Sequence, residues 1–154
     1  MPVVFKVEPF ADFQEEWLGE ISRRHWEELA MDKESIPIDV NLEQYKDMDQ
    51  RGILHVLTAR DGKKLVGYYI AMIVIHPHYQ SFGPMAMTDI YYLSPEYRKG
   101  TIAFEMMAEL EKSLKIRGVK KAYSSCKAHK DLTPLFQKCG WRLTDICFTK
   151  MIEA

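Results

Sequence analysis

The sequence predicts a mixed α/β fold, a central and mostly antiparallel sheet flanked by helices in the order β-α-α-β-β-β-α-β-α-β. Three observations predict it. Two strand-like runs, 53–60 and 65–75, meet at Asp61-Gly62, a dipeptide that favours a tight hairpin turn. A further strand-like run, 85–93, leads into a turn and an amphipathic helix, with another strand-like run after it at 119–126. Strand, helix and strand in that order form one parallel crossover in the sheet. The composition is that of a globular domain: 47% of the 154 residues are apolar and 28% charged, enough for a sizeable core in a single domain spanning 1–154.

The elements follow in order. Residues 3–9 read as a first strand. Residues 11–30 read as a helix, because Phe13, Trp17, Ile21, His25 and Leu29 recur at four-residue spacing. A loop containing Pro37 covers 31–40. Asn41, with Gln44 three residues on, opens a short helix to about Gln50 as a variant of the capping box. The hairpin follows, and Gly67 in its second strand suits a bulge or a close backbone approach. Pro77, Gly83 and Pro84 turn the chain through 76–84. After the strand at 85–93 comes a helix whose apolar stripe is Ile102, Ala103, Met106, Met107, Leu110 and Leu114, with Gly118 as terminator. Residues 119–126 form a strand, 132–139 a short helix closed by Gly140, and 141–152 a final strand.

Composition excludes several classes. No apolar run reaches the ~18 residues of a membrane span, and the first residues lack the pattern of a signal peptide. Cys126, Cys139 and Cys147 match no metal-ligand spacing and read as reduced thiols in a cytoplasm. His76 and His78 flank Pro77, but no further ligands accompany them, so no metal is expected. The net charge of −1 is unevenly spread. Residues 1–97 hold 9 Lys/Arg against 16 Asp/Glu, whereas residues 98–130 hold 9 against 3. The basic segment suits an anionic cofactor and the acidic part a cationic acceptor; both also read as solvated helix faces. Nucleic acid is not expected, since the basic stretch is short and has few aromatics.

That basic segment begins at Tyr92-Leu93-Ser94-Pro95-Glu96-Tyr97-Arg98-Lys99-Gly100-Thr101-Ile102-Ala103. A strand, a turn and a helix N-terminus in that order aim free backbone N–H groups and the positive end of a helix dipole at one point, which suits a phosphate. The run resembles the pyrophosphate loop of the GCN5-related N-acetyltransferases, Gln/Arg-x-x-Gly-x-Gly/Ala. Arg98 fills the first position and Ala103 the last, Thr101 stands at the middle Gly, and Gly100 comes one residue early. Leu135-Phe136-Gln137-Lys138-Cys139-Gly140-Trp141 is similar to that family's C-terminal signature, and the element order is the family's. His76-Pro77-His78-Tyr79, Asp89-Ile90-Tyr91 and Tyr97-Arg98-Lys99-Gly100 further resemble the small members encoded by phages and prophages.

The resemblance implies transfer of an acetyl group from acetyl-CoA to an amine by direct transfer in a ternary complex. It places the pyrophosphate on the backbone of Arg98, Lys99, Gly100, Thr101, Ile102 and Ala103, and the pantetheine arm along Tyr91 and Leu93, with His129 close to the cofactor. Asp89 is a candidate base. Asp is disfavoured in mid-strand, strict alternation puts it on one face with Met87 and Tyr91, and burial there would raise its pKa. A structural Asp bonded to a neighbouring loop is the competing reading. His25 and His78 are the other candidate bases; His25 also reads as a core histidine and His78 as a loop residue. Phe136 departs from the family, whose Tyr at that place protonates the leaving thiolate. The acceptor would be a small amine or a protein amine. A homodimer through sheet edges or the C-terminal strand fits the element order. The alternative reading is a non-catalytic CoA-binding or protein-interaction module, acting on a host protein.

Overall fold

The computed structural model describes residues 2–153. Five strands form one sheet in the order β1-β2-β3-β4-β5: β1 Val3–Val7, β2 Leu54–Asp61, β3 Lys64–Val74, β4 Met85–Leu93 and β5 Lys121–Tyr123. Pairing is antiparallel from β1 to β4, and β5 joins β4 in parallel. The predicted hairpin is present, with Asp61 paired to Lys64 across the turn. The helices are α1 Phe10–Glu16, α2 Ser22–Leu29, α3 Leu42–Gln50, α4 Ile102–Ile116 and α5 Thr133–Lys138. Asn41 caps α3 as expected, its Oδ1 accepting from the Gln44 N–H at 3.0 Å.

The sheet is covered on both faces. On one, Phe10, Phe13, Trp17 and Ile21 pack against Leu54, Val56, Tyr68, Ile70 and Tyr92. On the other, Met106, Met107, Leu110 and Leu114 of α4 pack against Leu57, Ala59, Val66, Tyr69 and Leu93. Burial on both faces explains why β3 is a nearly continuous apolar run, whereas β2 buries the polar His55 and Thr58 among its apolar residues.

Three features depart from the sequence reading. The expected helix 11–30 is broken by a wide π turn at Trp17–Ile21, with Gly19 at a non-helical ψ of −139°. Steps of four overshoot a 3.6-residue turn by about 40° each. One wide turn absorbs that drift and keeps Phe13, Trp17 and Ile21 buried on the same side. The strand expected over 119–126 shortens to Lys121–Tyr123. The final strand expected over 141–152 does not form: residues 141–150 carry no strand pairing and are mostly exposed. Its pattern suits a strand, but no neighbouring strand among the described residues lies against it.

Candidate functional site

β4 is nine residues long, and only Met85, Ala86 and Met87 pair with β5. Beyond Met87 the two strands diverge. Thr88 marks the vertex: its hydroxyl donates to the Tyr123 carbonyl at 2.7 Å, taking the place of a ladder bond. The Tyr69 hydroxyl lies within hydrogen-bond distance of Thr88 Oγ1 and, at 3.0 Å, of Ser124 Oγ, so a string of hydroxyls crosses the vertex. Past it, the edge of β4 that holds Asp89, Tyr91 and Leu93 has no strand beside it among the described residues.

The unpaired edge leads to the N-terminus of α4. Ser94 to Tyr97 make a tight turn, and Gly100 follows at φ 68°, a left-handed conformation that favours glycine. This turn accounts for a glycine one place earlier than the family loop has it. Thr101 is the N-cap but makes no capping bond, because its hydroxyl turns to Glu105. The first-turn N–H groups of α4 are therefore left without a side-chain cap, at the positive end of a 15-residue helix. Lys99, Gly100 and Thr101 are exposed, and Ile102 and Ala103 partly so.

The Arg98 side chain turns away from this N-terminus. Its Nε donates to the Leu93 carbonyl at 2.7 Å, and its other nitrogens grip Glu28 of α2 at 2.5 and 2.8 Å, over the Tyr92 ring. Lys130, on the loop after β5, approaches the same Glu28 at 3.5 Å. Glu28 thus bridges the loops that follow the two diverging strands. The Arg98 guanidinium holds the Glu28 carboxyl down at about 2.

Asp89 is the extra residue of a β-bulge: Ile70 pairs with Ile90 while Ala71 pairs with Thr88. The bulge corrects the strict alternation expected from sequence. The Asp89 carboxylate accepts from the Tyr45 hydroxyl of α3, whereas Tyr91 packs on the α4 side. Burial and the Asp89 charge push the Tyr45 hydroxyl pKa upward. Tyr45 stacks on Phe10 and meets Trp17 edge-on at 5.5 Å. Trp17 meets Tyr68, whose hydroxyl lies 2.7 Å from His25 Nδ1. His25 also stacks on Tyr92 at 4.7 Å, and burial, aided by Arg98 and Lys127 though opposed by Glu28, pushes its imidazole down to about 4. One aromatic cluster therefore links His25 to Asp89.

The other expected residues lie apart from this cluster. His78 is exposed on the short turn Pro77–Tyr79, its N–H donating to His76 Nδ1 at 3.1 Å. His129 is exposed on the loop after β5. Phe136 packs beside Trp141 with ring centres 5.7 Å apart. Among the described residues, no three His, Cys, Asp or Glu side chains converge as metal ligands. Tyr45, Tyr69, Thr88 and Ser124 were not among the expected residues. No local pattern marks them, since Tyr45 lies 44 residues from Asp89 and Tyr69 lies 55 from Ser124.

Comparison with known proteins bears on this geometry. The family described as Acetyltransferase (GNAT) family matches residues 11–141. No curated protein matches the sequence. Among solved structures, the chain is similar to an aminoglycoside acetyltransferase from an uncultured soil metagenomic sample, in complex with trehalose. Identity is 12%, coverage 98% of this chain and 97% of that one, and the TM-score 0.74. A predicted acetyltransferase with acetyl-CoA from Clostridium acetobutylicum is similar at 16% identity, 98% and 97% coverage and TM-score 0.71. Glucosamine-6-phosphate N-acetyltransferase from Arabidopsis thaliana is similar at 12% identity, 99% and 100% coverage and TM-score 0.71. At these identities the likeness shows the fold.

Proposed function

The chain belongs to the acetyltransferase (GNAT) family, and from that premise we propose that it moves an acetyl group from acetyl-CoA to an amine by direct transfer in a ternary complex. The observation that carries the reading is the uncapped N-terminus of α4 at the mouth of the gap between β4 and β5. The backbone of Arg98, Lys99, Gly100, Thr101, Ile102 and Ala103 holds the pyrophosphate. Tyr91 and Leu93 offer their main chain to the pantetheine arm, and His129 borders the cofactor.

Asp89 takes the proton of the incoming ammonium, through a water, once the acetyl group lies near the vertex. The amine nitrogen then attacks the thioester carbonyl carbon, a C–N bond forms, and the C–S bond breaks. Phe136 has no proton to give, so the thiolate draws one from solvent or from the hydroxyl string of Tyr69, Thr88 and Ser124. His25, neutral near pH 7 with a pKa of about 4, orients the acceptor side through Tyr68 and does not carry charge. His78 lines the approach of the acceptor on the loop after β3. The acceptor is a small amine or a protein amine, attracted by the acidic surface of residues 1–97. Three free cysteines suit the cytoplasm as its setting, and the phage and prophage resemblance of residues 76–79, 89–91 and 97–100 belongs to the same proposal.

A second reading, a CoA-fold module acting through a protein partner, draws on one observation. Glu28 already occupies Arg98 and Lys130 at the mouth of the gap. The experiment that separates the two is calorimetric titration with acetyl-CoA followed by an amine screen with thiol detection. Saturable binding and CoA release support transfer; no heat at millimolar acetyl-CoA sinks it.

A further inference from the structure

We propose that the Ser124 hydroxyl donates a hydrogen bond to the sulfur that leaves the acetyl group, and that Tyr69 and Thr88 turn its proton towards that sulfur. The inference rests on the acetyl-transfer reading and supplies it with the donor that Phe136 lacks.

Ser124 comes directly after the last β4–β5 pair, Met87 with Tyr123, and Thr88 holds the same place on β4. The two hydroxyls therefore stand where the strands begin to part. Both residues are partly exposed, and both line a cleft of about 740 Å³ that Phe136 lines as well. Tyr69 is 1% exposed and packs behind them on the α4 side of the sheet.

The protons of the string can be arranged in two ways. Thr88 has one proton and two neighbouring acceptors, the Tyr123 carbonyl at 2.7 Å and the Tyr69 oxygen. Tyr69 has one proton and two neighbours, Thr88 and Ser124. While Thr88 donates to the carbonyl, the Tyr69 proton is needed to fill the contact with Thr88. When Thr88 turns to Tyr69 instead, Tyr69 donates to Ser124, and the Ser124 proton is free to point into the cleft. No heavy atom has to move. The change gives up a neutral hydrogen bond to the Tyr123 carbonyl, and a hydrogen bond to an anion is roughly twice as strong. A negative charge in the cleft thus selects the second arrangement.

The departing thiolate is such a charge. As the C–N bond forms and the C–S bond breaks, the electron pair passes to sulfur, and the Ser124 O–H donates to it. The proton of the ammonium stays with Asp89. Burial pushes the Tyr69 phenol upward, so Tyr69 keeps its own proton and polarises Ser124. The thiolate takes its proton from solvent afterwards. A donor aimed at the atom where charge develops favours the transition state over the bound substrate.

The test uses CoA labelled with carbon-13 at the carbon beside its sulfur, bound to the full chain and followed by NMR across pH. The signal reports the ionisation of the bound thiol. That thiol should be about 10-fold more acidic than in free CoA, a midpoint lower by about one pH unit. Ser124→Ala should abolish the difference, Ser124→Thr should retain it, and Tyr69→Phe should fall between. A parent complex no more acidic than free CoA overturns the inference, as does Ser124→Ala with the parent's acidity; CoA binding then still leaves the transfer reading standing. If Ser124→Ala does not bind CoA, Tyr69→Phe decides, and the parent's acidity in that variant overturns the inference. No binding of CoA by the parent removes the transfer reading and the inference together.

Discussion

Arg98 and Lys130 both pair with Glu28, so under the proposed function Glu28 would compete for these cations with an anion at the N-terminus of α4. Replacing Glu28→Gln leaves those cations without their partner. Acetyl-CoA should then bind about 3–10-fold tighter, the equivalent of roughly 1 kcal/mol, read by calorimetry; unchanged or weaker affinity would show that the bridge does not oppose the cofactor. Asp89→Asn keeps the shape and the acceptor for the Tyr45 hydroxyl but removes the proposed base. Turnover should fall on the order of 10²-fold or more with acetyl-CoA binding intact; equal turnover across pH refutes the role. The two residues differ in how far they could be read from sequence. An Asp in mid-strand is conspicuous by type alone. Its partner Tyr45 and the bulge that aims it are products of pairing across the fold, and neither leaves a local mark.

At the level of elements, β3 and β4 meet closely at Gly67. A Cβ on Gly67 would stand 2.9 Å from the Tyr92 carbonyl and 2.9 Å from Leu93 Cδ1. The carbonyl is backbone and does not yield as a side-chain tip would. Gly67→Ala should therefore cost roughly 1–3 kcal/mol in urea unfolding, and it should weaken acetyl-CoA binding because β4 runs on into the turn before α4. A loss below about 0.5 kcal/mol would show that the strands have slack. The close approach was readable from the position of Gly67 within a strand pattern. The break at Trp17–Ile21 was less so, since a strict four-residue repeat looks like an ordinary helix until the accumulated drift is counted. The last segment was readable in pattern but not in pairing. Local propensity names a strand, whereas a sheet also requires a neighbour at the correct distance.

For the whole molecule, the two faces of the sheet set its response to acid. His55 lies 1% exposed against Ser113 and Arg117, and burial together with the Arg117 charge pushes its imidazole down to about 4. His25, on the opposite face, is likewise held at about 4. Both ordinarily titrate near 6.5, so the unfolded chain takes up protons first. Their contribution is fully present above pH ~6.5 and is lost as pH falls towards ~4, on the order of 1–2 kcal/mol each by pH ~5. Urea midpoints at pH 7 and pH 5 should show that fall, and His55→Gln should flatten it if the folded variant retains its core. Below about 4.5 the Glu28 ion pair adds a second loss, as a carboxyl held at about 2 in the fold is protonated first in the unfolded chain. Trp17 lies at the centre of the aromatic cluster, 4% exposed and one ring from Tyr45. Its emission, read beside that of Trp26 and Trp141, should report on how Tyr45 is seated against it. A ligand that draws the carboxylate away from the Tyr45 hydroxyl would shift that light without any label attached.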